Sequence, residues 1–167
     1  MRENRAKIQQ YHEIRRTVPF TSVDFGYQTL TLFSAGELED EQIGYRISPS
    51  GEDLTGSRAG DWRSEWLVIG RDGLLGDPIF VDLTDEALPV FTAVHGEGSW
   101  SPELIATSLG GFIEALKEIE SVSHGRSNPV ELERNPLPAA EKEEVLQRIA
   151  EASGNASQEY WESWFAL

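Results

Sequence analysis

The stretch "EWLVIGRDGLLGDPIFVDL", Glu65 to Leu83, constrains the fold more than any other. Trp66, Leu67, Val68 and Ile69 form a continuous apolar run, the pattern of a central strand covered on both faces. After the loop, Ile79, Val81 and Leu83 alternate with Phe80 and Asp82, as a second strand does. Between the runs lie Asp72-Gly73, a favoured turn pair, and Asp77-Pro78, which suits a turn leading into the first position of a strand. The stretch therefore predicts an antiparallel hairpin. A cation cradle is the competing reading. A hard cation wants about six or more oxygen ligands, and this loop offers two carboxylates separated by Gly-Leu-Leu-Gly.

Around this hairpin the periodicity changes several times. Ile8, Tyr11 and Ile14 place a thin apolar stripe on a helix over residues 2–16. "TLTLF", Thr29 to Phe33, alternates like a strand. Ser34 with Glu37 then has capping-box spacing and predicts a short helix from Ala35 to about Gln42. "GYRI", Gly44 to Ile47, predicts another short strand. Ser48 to Asp61 is rich in Ser, Gly, Asp and Pro and predicts a loop. "LPVFTAVHG", Leu88 to Gly96, completes a three-stranded meander with the hairpin. Leu109, Phe112, Ile113, Leu116 and Ile119 fall on one face of a helix capped by Thr107 or Ser108. A Pro-rich connection then leads to a helix from about Ala139, stopped by Gly154. Ser157 caps a short helix carrying Tyr160, Trp161, Trp164 and Phe165, rings expected to dock into their own core. Trp66, Val68, Ile79, Val81, Phe112 and Leu116 are expected to be buried together.

A chain of 167 residues with 39% hydrophobic residues suits one domain with its own core. There is no cysteine, which excludes disulfides, thiolate metal sites and cysteine nucleophiles. No apolar run approaches the roughly 20 residues needed to cross a bilayer, and the start of the chain lacks the apolar core of a signal peptide. A cytoplasmic location is the expectation. The formal net charge is −15. Residues 1–16 hold five basic and two acidic side chains, so the remainder is more acidic still. Such a surface repels nucleic acid and anionic membranes and attracts basic partners.

No motif announces chemistry. His12, His95 and His124 lack helical metal spacing, and no HExxH, GxSxG or phosphate-binding glycine loop occurs. Ser108, His95 and Asp77 make a triad only on paper. No catalytic, metal or cofactor site is expected. A metal-assisted hydrolase using Asp72, Asp77 and His95 is the remote alternative.

The order of certain short motifs says more. "DWRSEWLVIGRDGLLGDPIFVDL", then "LPVFTAVHGEGSW", then "IATSLGGFIEAL" resembles the SUKH superfamily, the Smi-and-Knr-like proteins. The matching positions include Trp62, Trp66, Gly70, Asp72, Gly76, Asp77, Pro78, Pro89, His95, Gly96, Trp100, Ser108 and Phe112. The resemblance is strongest over residues 30–120. It does not extend to an N-terminal "LP..Y..F" helix or to residues 123–167, a C-terminal helical extension. It implies a single α+β domain with an antiparallel-rich sheet and helices packed against it. It also implies an immunity-type protein that binds and neutralises a toxin, or a regulatory scaffold module of the Smi/Knr type. Combined with the acidity, it makes a basic toxin domain the expected partner. The expected contact residues are Glu37, Glu39, Asp40, Glu41, Glu52 and Asp53, with Trp62 or Trp100 as a desolvated anchor.

Overall fold

The computed structural model describes residues 2–166, with side chains from residue 5 onward. It is an α+β fold: one six-stranded antiparallel sheet and five helices. The strands are β1 (Ser22–Phe25), β2 (Gln28–Leu32), β3 (Trp66–Asp72), β4 (Pro78–Asp82), β5 (Val90–Thr92) and β6 (Glu103–Ala106). They lie side by side in chain order, a complete meander. The helices are α1 (Arg2–Arg16), α2 (Leu109–Ser123), α3 (Pro129–Arg134), α4 (Ala139–Ser153) and α5 (Gln158–Ser163).

The expected hairpin is present as β3 and β4. Its register carries a bulge, since Val68 pairs with Phe80 but Gly70 pairs with Ile79, leaving Ile69 as the extra residue. Gly70 is required there because β2 passes close by: a Cβ would sit 2.4 Å from the Thr31 carbonyl oxygen.

Cross-strand partners share a face, so the register sorts the core into two sides. Val23, Leu30, Leu32, Ile79, Val81, Leu67 and Val90 lie on one side, all buried. Helix α2 covers this side with Phe112, Leu116 and Ile119 and packs against β1 and β6. Behind it lies α4, so close that a Cβ on Gly111 would sit 2.1 Å from the Ala152 carbonyl oxygen. Val68, Phe80 and Phe91 lie on the other side. The expected single cluster is therefore split. The bulge puts Val68 on the side opposite Val81 and Phe112, and Trp66 is half-buried in an aromatic group with Phe80.

That second side is roofed by residues 34–64 rather than by a helix. The predicted helix from Ala35 shrinks to turns and one 3-10 turn, Asp40–Gln42. "GYRI" is not a strand but a turn, with Ile47 in isolated bridges to Ile43 and Asp53. Gln42 fastens this segment to the sheet. β2 pairs with β3 only from Gly70 to Asp72, so the backbone of Val68 projects past the end of β2. The buried Gln42 amide takes the place of a strand neighbour: Oε1 accepts from Val68 N–H at 3.0 Å, and Nε2 donates to Val68 O at 2.9 Å and to Leu38 O at 2.8 Å. Helix α1 closes the adjacent corner. The buried Tyr11 hydroxyl donates to Phe33 O at 2.7 Å, beside the bulged Ile69 carbonyl.

Three elements were not expected: β1, β6 and α3. The last begins inside the Pro-rich connection, with the Asn128 side chain accepting from Glu131 N–H and Pro129 at the first helical position. The aromatic tail docks as expected. Trp161, Trp164 and Phe165 are buried, and Trp161 Nε1 donates to Ile105 O of the edge strand β6 at 2.9 Å. No helix among the described residues is long and apolar enough to cross a membrane.

Two substitutions test this layering. Gln42→Leu leaves the Val68 N–H and C=O buried without partners and is expected to destabilise the fold by about 2–4 kcal/mol in denaturant unfolding. Phe112→Ala opens a void under the sheet and is expected to cost about 3–5 kcal/mol. A loss below about 1 kcal/mol at either position, the scale of a surface site, contradicts the assigned packing.

Candidate interaction surface

The expected acidic contacts divide into engaged and free charges. Glu37 supplies its half of the capping box at the start of the roof, reaching back so that Ser34 N–H and Ser34 Oγ donate to its Oε2 at 2.8 and 2.6 Å. Those bonds hold the Glu37 carboxyl below its ordinary range. Asp53 behaves likewise, its Oδ1 accepting from Thr55 N–H at 2.8 Å and Thr55 Oγ1 at 2.7 Å, and its carboxyl is lowered for that reason. Glu41 is half-buried and lies 3.6 Å from Arg71, whose guanidinium also sits over the Phe33 ring. Glu39, Asp40 and Glu52 are exposed and form no ion pair among the described residues. These three present charge outward without a competing cation in contact.

Trp62 is a correction. It was expected as a surface anchor because it borders a polar loop, yet it is only 2% exposed. The loop itself folds over the sheet, so its flanking residue lies underneath. Tyr45, Trp66, Phe80 and Trp100 surround Trp62 with ring centroids 4.8–5.3 Å away. Its buried Nε1 has no hydrogen-bond partner among the described residues. Trp100 is half-buried at the edge of the same cluster, its backbone N–H donating to Gly60 O at 2.9 Å.

The β3–β4 turn answers the question of the two aspartates. Asp72 Oδ1 accepts from the N–H groups of Leu74 and Leu75 at 2.6 and 3.0 Å, which shapes the turn. Asp77 Oδ1 accepts from His95 N–H at 3.0 Å and lies 2.7 Å from His95 Nδ1, pinning the β5–β6 loop to the hairpin. The paper triad is not assembled: Ser108 Oγ caps α2 by accepting from Gly111 N–H at 3.0 Å. Among the described residues no group of three or more acidic or histidine side chains is arranged to hold a metal ion.

The same corner contains what the sequence did not reveal. Leu74, Leu75 and Val94 are 57%, 62% and 53% exposed. They rim a cleft of about 250 Å³ between this end of the sheet and α5, into which Asp72, Asp77, Glu103 and Tyr160 also face. Burial pushes the Tyr160 phenol above its ordinary range, and the carboxylates of Asp72 and Glu103 add to the shift.

Comparison of the chain with protein-family models, with curated proteins and with solved structures found no match.

The capping box gives a pH test. A folded-state pKa below the unfolded one adds stability above the unfolded carboxylate range, and that stability is lost as pH falls through the folded pKa. Carboxyl NMR titration is expected to find Glu37 below the ordinary glutamate value, and Ser34→Ala to move it back up. A Glu37 midpoint that is normal in both proteins contradicts the geometry.

Proposed function

We propose that this chain is a non-enzymatic immunity-type protein that binds and neutralises a basic toxin domain. The observation that carries the reading is the set of exposed acids on the roof that form no ion pair among the described residues, Glu39, Asp40 and Glu52, on a chain of formal charge −15. Opposite charge steers a partner into encounter and can raise association rates by orders of magnitude. Speed matters here, because an enzymatic toxin does damage until it is captured. Rim charges alone give little affinity, and the half-buried Trp100 is the aromatic beside this surface that can lose further solvent on binding. The resemblance to SUKH proteins supports the same class of partner through the order of its motifs.

The test uses the product of a toxin-like gene adjacent to the gene for this chain. Association rates are measured against ionic strength for the wild type and for the Glu39→Lys, Asp40→Lys double variant. The wild-type rate is expected to fall steeply with salt, and the variant to associate about tenfold more slowly at low salt. A rate flat in salt, with full protection of cells by the variant, removes the acidic roof as the contact surface. If no toxin is bound or neutralised, the regulatory-module reading replaces this one.

A further inference from the structure

Helix α1 is held to the body differently from the other long helices. α2 and α4 pack on each other and on the sheet, whereas the backbone of α1 runs close along no strand or other helix. Among its described side chains only Lys7 and Tyr11 are buried, and one of the two is charged. Its hold is a stripe of donors. Lys7, Tyr11 and Arg15 stand at i, i+4 and i+8 on one face of the helix, with Gln10 beside them. Lys7 Nζ lies 2.8 Å from Glu86 Oε1, and Gln10 Nε2 donates to Glu86 O at 3.1 Å. The Tyr11 hydroxyl donates to Phe33 O at 2.7 Å, and Arg15 Nε donates to the same oxygen at 3.2 Å. In every polar contact between α1 and the body among the described residues, α1 supplies the donor. The seat beneath it thus answers with backbone oxygens and one carboxylate only. Charge is divided in the same way: residues 1–16 hold five basic and two acidic side chains on a chain of formal charge −15. The seat also adjoins the roof, since Phe33 immediately precedes Ser34.

We propose that α1 is a displaceable cap, and that the seat it fills takes a basic helix of a protein partner in its place. The occupant is defined by what α1 itself puts there: a cationic helix with donors at i, i+4 and i+8, the middle one long enough to reach the Phe33 carbonyl. An acidic helix would set carboxylates against oxygens that need donors. Residues 17–21 tether α1 to β1, so it competes with an outside helix at high effective concentration. Affinity for an outside helix is then set by the fraction of chains whose α1 has lifted off. Added salt favours lift-off, because the Glu86 side chain is 97% exposed and its pairing with Lys7 is open to screening. The assignment rests on reading the chain as a binding protein and names the kind of element that its partner presents.

The probe is the fluorescein-labelled peptide of residues 2–16, titrated by anisotropy into the full chain. Lys7→Gln in the chain loosens the tethered helix and leaves the seat intact. That variant is expected to take up the peptide about fivefold more tightly than the wild type does. A peptide carrying Tyr11→Phe and Arg15→Gln is expected to bind about fivefold more weakly. Hydrogen exchange is expected to show α1 opening more often in Lys7→Gln while α2 and β3 stay protected. Arg15→Gln in the chain provides the same comparison if Lys7→Gln disturbs the fold. A chain that is merely destabilised gains no affinity, so the tightening separates release of the cap from general loss of structure. Equal affinity of variant and wild type, equal binding of the reversed-sequence peptide, or no saturable binding below about 1 mM overturns the proposal. So does a dimer that grows with protein concentration and excludes the peptide, the mark of α1 exchange between two copies. If a toxin is bound equally by the wild type and Lys7→Gln, the seat assignment falls while the binding-protein reading stands. If the peptide binds as expected and no toxin is bound, the seat stands and the toxin reading falls.

Discussion

The backbone of a buried strand must be paired on both sides, and β3 runs beyond the end of β2. The Gln42 amide fills that gap by offering Val68 an acceptor and a donor together, as a neighbouring strand would. Much of the molecule depends on this substitution. It places the 3-10 turn against the sheet, fixes where residues 34–64 cross the aromatic side, and lets the bulge at Ile69 stand next to a sealed edge. An aliphatic side chain of the same size would fill the space and leave both peptide groups without partners.

The two sides of the sheet are consequently built by different means. Below, an amphipathic helix covers aliphatic residues in the ordinary manner, backed by a second helix through the Gly111 contact. Above, an irregular segment contributes Tyr45 and Trp62 to rings standing on Phe80 and Trp66. Large rings give such a segment what it lacks in regular hydrogen bonding, because each buries a large area at the cost of few rotatable bonds. The charges free to meet another molecule follow from that arrangement. Glu37 and Asp53, whose side chains hold the roof's turns, have spent an oxygen on backbone, and Glu39, Asp40 and Glu52 have not.

How far the sequence could be read depended on whether a signal was local. The β3–β4 hairpin was legible because Asp72-Gly73 and Asp77-Pro78 have turn chemistry in themselves. Helices α2 and α4 were legible from their spacing, with Ser108 and Gly154 as end signals. β1 and β6 were not, because "SVDF" and "ELIA" are four residues each and too short to display a period. α3 was hidden by Asn128-Pro129, a pair that reads equally as loop or as helix start. Trp62 failed for a different reason: burial beneath a polar loop depends on where the loop lies, not on its composition. The cleft failed most completely. Glu103 and Tyr160 lie far along the chain from Asp72 and Asp77, and the exposure of Leu74 and Leu75 emerges only once the turn is built.

Every strand pairs with its neighbour in the chain, yet the connection between β2 and β3 is far longer than the others. The excursion that forms the roof interrupts the meander without altering its order. Closing a flexible loop twice as long costs only about 0.6 kcal/mol more. Lineages descended from such a chain could therefore lengthen, shorten or recolour the stretch between Ile47 and Trp62 while inheriting the same sheet, provided Gln42 and the ring beneath are retained. A scaffold divided in this way can diversify one surface rapidly while its framework drifts slowly.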